Sequence, residues 1–483
     1  MRKTSWKAAR WPVAILLSIG VTSCARNPVT GRRQLAFVSE SQEIRMGQQF
    51  AQEIIRSMGV YDDKQVHEYV SRLGLSMAAK SERPNLPWAF YVMDDPTVNA
   101  FALPGGPIFV TRGILTHMND EAELAGLLGH EIAHITARHS VQQMTRQQLA
   151  QIGLGAGSIL SSDIARFAGV ASQGLGILFL RYGRDAESQA DQLGFKYMVR
   201  EGYDPAAMAD LFQTLERVSK LHGAGNIPQW LSTHPNPGNR VKATHQRMDT
   251  LSVPREQLRR GREEYLAIVD GMTFGVDPRQ GYIERNTFYH PRLRFKLDLP
   301  SGWPTQHTAE ALLAISPERD AILQLAAPRT ETPAEAERQF FRQQGVRRTQ
   351  TSRAPVNGFP AVSSGFEAQS DQGTVEGTVT FLRYDGLTYQ LLGYTSAGRL
   401  RRREQVFRRT IASFSELTDS ARLNVQPFTI ELVKVDRDMT IKEFNRQYPS
   451  TVPVERVAVM NGVATPDGRI SVGTTVKRVV GGR

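Results

Sequence analysis

Residues 129–139 read GHEIAHITARH, which places three of the chain's ten histidines within one short segment. Small and aliphatic residues lead into it as LAGLLG, and Ile132 and Ala133 stand between the first two histidines. Such a run reads as a helix with a buried face. At 100° per residue, His130 and His134 lie about 40° apart, one turn along the same face. Two imidazoles so placed can grip one metal ion, with Glu131 beside them as a general base. A helix that carries these groups inward must be surrounded by elements that partner them, because a buried polar group left alone is costly. Asp120 and Glu123 have capping-box spacing, so the helix begins there and should run through EAELAGLLGHEIAHITARHSVQQM, residues 121–144. On that continuous helix His139 falls about 180° from His130, which leaves it a packing or supporting contact.

A metal held by two histidines needs more ligands, and RDAESQADQLG (184–194) offers them. Glu187 and Asp191 are at i and i+4 on one helical face. Glu187 can supply a third ligand, and Asp191 can accept the free ring N–H of a ligating histidine and fix its tautomer. A solvated charged helix has the same spacing. Taken with residues 130–134, the pair points to one zinc ion per chain. Three protein ligands leave one tetrahedral position open, the catalytic rather than the structural form.

A chain of 483 residues exceeds a single core, so about two to four domains are expected. The formal charge is +11, and Arg2, Lys3, Lys7 and Arg10 put four of those charges at the start. The basic MRKTSWKAAR, the apolar WPVAILLSIG and VTSC ending at Cys24 resemble a bacterial lipoprotein signal. It implies removal of residues 1–23 and acylation of Cys24, a stable membrane anchor. Ala25 after it resembles the signal for transport to the outer membrane. Cys24 is the chain's single cysteine, so no internal disulfide forms. An exported chain with a mild remaining charge has no nucleic acid as partner.

Helices are expected from Ser39 to about 57, over 63–80 and over 184–200, with a strand at 88–95. NAFALPGGPIFVTRGIL (99–115) reads as two short extended segments around a Pro-Gly-Gly break. The apolar, glycine-rich stretch 152–180 reads as a buried or membrane-grazing helical segment, too interrupted to span. From about 270 the texture alternates like an antiparallel sheet, with helices at 333–344 and 401–414. The basic cluster RLRRREQVFRR (399–409) reads as a solvated helix face.

Five stretches together resemble the M48 family of metallopeptidases, and within it the periplasmic lipoprotein members. They are NPVTGRRQL (27–35), NAFALPGG (99–106), DEAELAGLLGHEIAH (120–134), ESQAD (187–191) and STHPNPGNR (232–240), in the family's order. The resemblance implies a gluzincin fold with His130, His134 and Glu187 as zinc ligands and Glu131 as the catalytic residue. It also implies a groove. Asn99, Ala100, Phe101 and Ala102 should form an edge strand that pairs with an extended substrate, and Pro104, Gly105 and Gly106 should turn the chain at its end. His234 and Arg240 resemble family positions near the active site. Arg240 can steady Asp191 or the developing oxyanion. His234 can contact substrate or enter the metal's open position, and a structural role for either residue stays open. The chain lacks the spanning helices of the family's integral-membrane members and the tetratricopeptide-type repeats of its best-known outer-membrane ones.

The last unit resembles a LysM module, with DMTIKEFNRQY, VPVERVAVMNG and ISVGTTVKRV at its helices, its asparagine and its final strand. Arg437-Asp438 replaces the usual glycine-aspartate opening, so peptidoglycan binding and plain protein interaction both stay open. The expected organisation is multidomain: a signal at 1–23, a mainly α-helical gluzincin-type protease domain with a small sheet at 24–255, an α+β antiparallel-sheet domain at 270–418 and a βααβ LysM-like module at 427–483. The expected function is a zinc endopeptidase, lipid-anchored on the periplasmic side of the outer membrane, that degrades unfolded or misassembled envelope proteins. The rival is a non-catalytic, chaperone-like or peptidoglycan-binding outer-membrane lipoprotein.

Overall fold

A computed structural model describes residues 24–153, 181–222, 229–235, 237–307, 311–370 and 373–482. The leader 1–23 and nearly all of the apolar stretch 152–180 lie outside the described residues. The chain is multidomain, with helices and several antiparallel sheets. No helix among the described residues is long and apolar enough to cross a membrane.

Local signals set the amino-terminal elements. Ser39 and Gln42 form a reciprocal capping box that starts the helix Glu40–Met58, and the Asp63 carboxylate caps Lys64–Ala79. Next comes a three-stranded sheet. Ala89–Met93 runs parallel to Pro107–Thr111, which pairs antiparallel with Ala100–Ala102 at the edge. The turn between the last two strands demands glycine. Gly105 and Gly106 have φ of +81° and +133°, and a Cβ on them would lie 2.6 Å from Ile44 Cα and from the Pro87 carbonyl oxygen respectively.

The helix Glu121–Thr136, capped by Asp120, is buried along its whole length. It crosses the helix Arg184–Arg200 at two glycines. A Cβ on Gly194 would stand 3.0 Å from His130 N, and one on Gly129 would stand 3.2 Å from Gly194 Cα. Backbones can approach this closely only without side chains, and the approach carries Glu187 and Asp191 to the histidines.

The continuous helix expected over 121–144 does not form. It ends at Thr136, Arg138 turns left-handed with φ 59°, and a second helix begins at His139. Left-handed backbone costs a side-chain-bearing residue about 1–2 kcal/mol. Tertiary bonds offset it here: buried Arg138 donates from Nε to Glu43 Oε2 at 2.9 Å and from Nη2 to the Val38 carbonyl at 2.9 Å.

After residue 275 a seven-stranded antiparallel sheet has Thr305–His307 at one edge and Val346–Ser352 at the other. The helices Pro333–Phe341 and Leu400–Ala412 accompany it, and a four-stranded sheet lies alongside. The chain ends in strand, helix, helix, strand: Phe428–Lys434, Ile441–Gln447, Val454–Met460 and Thr475–Gly481. Between the two helices and the closing strand stands only the short strand Arg469–Ile470. Phe428–Lys434 pairs with Thr475–Gly481 on one side and with Thr273–Phe274 on the other.

Candidate metal centre

The helix crossing brings His130, His134 and Glu187 together, and His234 joins them from the residue after the short helix Gln229–Thr233. One ligand atom from each of the four lies within 4.8 Å of all the others, and all four residues are buried. His130 Nε2 is 3.0 Å from His134 Nε2 and 3.2 Å from His234 Nδ1, and His234 Nδ1 is 2.9 Å from Glu187 Oε1.

Electrostatics explain why these groups tolerate burial together. Burial, followed by the neighbouring His130, pushes His134 well below the ordinary imidazole value, so its ring is neutral. Burial acts the same way on His234, but the carboxylates of Glu187 and Glu131 outweigh it and hold that ring's pKa up. Glu187 is itself held low, because His234 and Arg240 outweigh its burial. Imidazole nitrogens aimed at one another at 3.0–3.2 Å leave too few protons to bridge them all. Glu187 Oε2 is buried with no hydrogen-bond partner, facing Arg240 Nη1 at 3.2 Å without hydrogen-bond geometry. A cation at the centre of the four atoms satisfies these groups. Three imidazole nitrogens and a carboxylate oxygen are donors that zinc takes.

Behind the ligands stands a buried ionic support. His130 Nδ1 is 3.0 Å from Asp191 Oδ1. Arg240 grips the same carboxylate with two nitrogens, Nε to Oδ2 at 2.9 Å and Nη2 to Oδ1 at 2.5 Å. Arg240 and the His130 bond outweigh burial and hold Asp191 well below the usual carboxylate range. Of the roles open to Arg240, this geometry matches the steadying of Asp191.

Two supporting residues were not legible beforehand. Trp230 Nε1 donates to Glu131 Oε1 at 3.2 Å, while Glu131 Oε2 stays buried without a partner. The same indole stacks on His234, with centroids 4.7 Å apart, and lies under the Arg240 guanidinium at 4.7 Å. Tyr182 stacks on His134 at 4.0 Å. Trp230 stands one helical turn before His234, a spacing that places both on one face. His139 makes the supporting contact expected of it, but from the near side of the helix and not from the far side. The break at Arg138 turns it back from the far side of the helix, and its Nδ1 lies 2.9 Å from His134 Nδ1.

Ala100–Ala102 is an edge strand, packed beside the motif helix and buried. Trp230 N donates to the Val98 carbonyl at 3.4 Å, which ties the short helix to the segment leading into this strand. Asn99 is buried, and its Oδ1 has no partner. Pro104, Gly105 and Gly106 form the turn against the helix Glu40–Met58.

Comparison with known proteins decides the family. Residues 64–248 match peptidase family M48. Mitochondrial metalloendopeptidase OMA1 of Schizosaccharomyces pombe is 34% identical over 239 residues, 47% of this chain and 68% of its own. The chain belongs to peptidase family M48. Beta-barrel assembly-enhancing proteases of Yersinia pestis and Escherichia coli (strain K12) are 30% and 27% identical over 237 and 233 residues; each match covers 46% of this chain and 47% of the relative. The chain thus spans about half the length of these bacterial relatives. M48 metallopeptidases use zinc, and the His-His-Glu-His group fits it.

Proposed function

We propose that the chain is a zinc endopeptidase in which His130, His134 and Glu187 hold the metal and Glu131 is the catalytic base. The observation that carries this reading is Glu131 Oε2, a buried carboxylate oxygen without a partner beside four converging ligand atoms. Zinc bound there supplies Lewis acidity. Glu131 Oε2 takes a proton from the attacking water and returns it to the leaving amine. Trp230 holds the other oxygen, which aims the carboxylate. Asp191, braced by Arg240, keeps the His130 proton on Nδ1 and its Nε2 bare. Asn99 and the edge strand Ala100–Ala102 offer an amide oxygen and a main-chain edge to an extended peptide. That mode reads little side-chain sequence and suits unfolded polypeptide.

With zinc bound, His234 would be the fourth donor and would take the position that the attacking water needs, so the arrangement fits a resting, self-blocked state. The relatives named as beta-barrel assembly-enhancing proteases support unfolded or misassembled envelope proteins as substrates. The lipobox-like VTSC supports anchoring through Cys24 on the periplasmic side of the outer membrane.

One observation favours a second reading. Four protein ligands are what a structural zinc site uses. Its form here is a non-catalytic lipoprotein with a closed metal centre. Zinc content and casein cleavage separate the two. In the enzyme, Glu131→Gln keeps one zinc and loses cleavage by about 100-fold or more, and His234→Ala gains cleavage over wild type. Zinc retained throughout with no cleavage even in His234→Ala rejects the enzyme.

A further inference from the structure

Both motif imidazoles must present a bare Nε2 to the metal, so each neutral ring must carry its proton on Nδ1. His130 meets this need through Asp191, an anion that can only accept. Among the described residues, no carboxylate stands behind His134. Its Nδ1 lies 2.9 Å from Nδ1 of His139, an atom that can either give or take a proton.

The choice is made one residue further out. His139 Nε2 lies 2.9 Å from Gln189 Oε1, and an amide oxygen only accepts. Nε2 of His139 therefore carries the hydrogen, its Nδ1 is bare, and it accepts from His134 Nδ1–H. The reverse arrangement would put a proton on His134 Nε2, where it points at His130 and Glu187. It would also leave His139 Nε2 facing Gln189 Oε1 lone pair to lone pair. His139 is buried, 4% exposed, so each of its ring nitrogens depends on the one partner it has here.

We propose that His139 and Gln189 form an uncharged relay that fixes His134 as an Nε2 ligand, with both acting as positioning residues. One helix then serves both imidazoles: Asp191 supports His130 by charge, and Gln189 supports His134 through a neutral ring. The relay exists because the chain breaks at Arg138; on an unbroken helix His139 faces away.

The relay rests on the metal centre proposed above, and its test reads metal affinity. Zinc dissociation constants of the full mature chain are measured by competition with a chelator, for wild type, His139→Phe, His139→Asn and Gln189→Leu. Phenylalanine removes the acceptor, whereas asparagine places an amide oxygen where Nδ1 stood. The Phe and Leu variants should bind zinc about 10- to 100-fold more weakly, with the Asn variant within a few-fold of wild type. ¹⁵N-histidine spectra of the zinc-loaded wild type should show His134 protonated on Nδ1 and His139 on Nε2. Unchanged affinity in the Phe and Leu variants overturns the relay. Equal loss in the Asn and Phe variants overturns it too, since packing alone would then be at work, as does a His139 proton on Nδ1. A wild-type chain that takes up no zinc overturns the metal centre itself.

Discussion

Residues 428–481 lie farthest along the chain from the motif helix, yet they are built into its surroundings. The nearer residues 288–414 keep cores of their own. Val459 belongs to the same hydrophobic cluster as Leu124, Leu128 and Ile132 of the motif helix. Lys477 is fully buried, and its Nζ donates to the carbonyls of Thr116 and Met118, at 3.1 and 2.5 Å, just before that helix begins. Arg262 and Arg217 reach across to the carbonyls of Thr475 and Gly462. The terminal unit also has a cluster of its own around Ile441 and Phe444, but among the described residues no cluster of the middle region is shared with the body: its three are drawn from residues 288–414 alone. That region touches the protease part through side-chain contacts such as Gln280–Asp94 and the exposed pair Arg292–Asp62. Phe274 and Phe428 are direct partners in adjacent antiparallel strands. The middle region therefore leaves and rejoins the body within one strand spacing, as an insertion does.

The largest effect should come from removing the terminal unit. A chain that stops at Gln426 loses the strand beside Thr273–Phe274, uncovers the core around Val459 and strips both loop carbonyls of their donor. The protease part should lose its cooperative thermal transition, leaving only that of the middle region with its separate cores, and the chain should not retain zinc. A wild-type melting temperature in that truncation would break the comparison outright.

A smaller effect isolates the seam. Lys477→Met keeps the apolar stem and removes the donor, leaving the Thr116 and Met118 carbonyls buried and unpaired, at a cost of about 3 kcal/mol. Chemical denaturation of the two proteins at one pH checks it.

Glu123, on the motif helix beside Asp120 and Arg260 and facing Lys477 across the seam, adds a pH dependence. Burial, then Asp120, pushes its carboxyl from the ordinary 4.5 up to about 8. A folded pKa above the unfolded one gives stability that is complete below about 4.5 and lost as pH rises through 8. Lys477, which burial lowers to about 7, works in the opposite sense at higher pH. Glu123→Gln should therefore lie near wild type at pH 5 and exceed it by about 3 kcal/mol near pH 8. Parallel unfolding curves at the two pH values would show that Glu123 does not titrate in this range.

The sequence displays what depends on short spacing. The i, i+4 pair His130 and His134, the matching pair Glu187 and Asp191, the Ser39 cap and the Gly105-Gly106 turn are each set within a few residues. What it hides is set by distant partners. The left-handed Arg138 is stabilised by Glu43, 95 positions away, so no local pattern announces the break that turns His139 inward. The bond from Trp230 to Glu131 spans 99 positions. The docking of Lys477 against Thr116 and Met118 spans about 360. Each is a buried polar group finding its partner only once the core has formed.

The smallest effect belongs to the middle region, and it sharpens the comparison most. Replacing residues 276–426 by a short Gly-Ser linker joins strands whose ends already sit as in a hairpin, where loops of about two to five residues are normal. The cut must fall after Gly275. Buried Arg112 donates to the carbonyls of Thr273 and Gly275, at 3.1 and 2.5 Å, and would otherwise lose both acceptors. What goes is the Gln280–Asp94 contact and the Arg292–Asp62 pair at 3.8 Å, a surface ion pair of the kind worth about 0–1 kcal/mol. The shortened chain should bind one zinc with unchanged affinity, and its melting temperature should lie within a few degrees of the full chain's. In the His234→Ala background it should cleave a short unstructured peptide as fast as its full-length counterpart, because none of the ligands, Glu131 or the edge strand lies in the excised part. A loss of zinc affinity would mean that the middle region holds the body together, which its separate cores argue against.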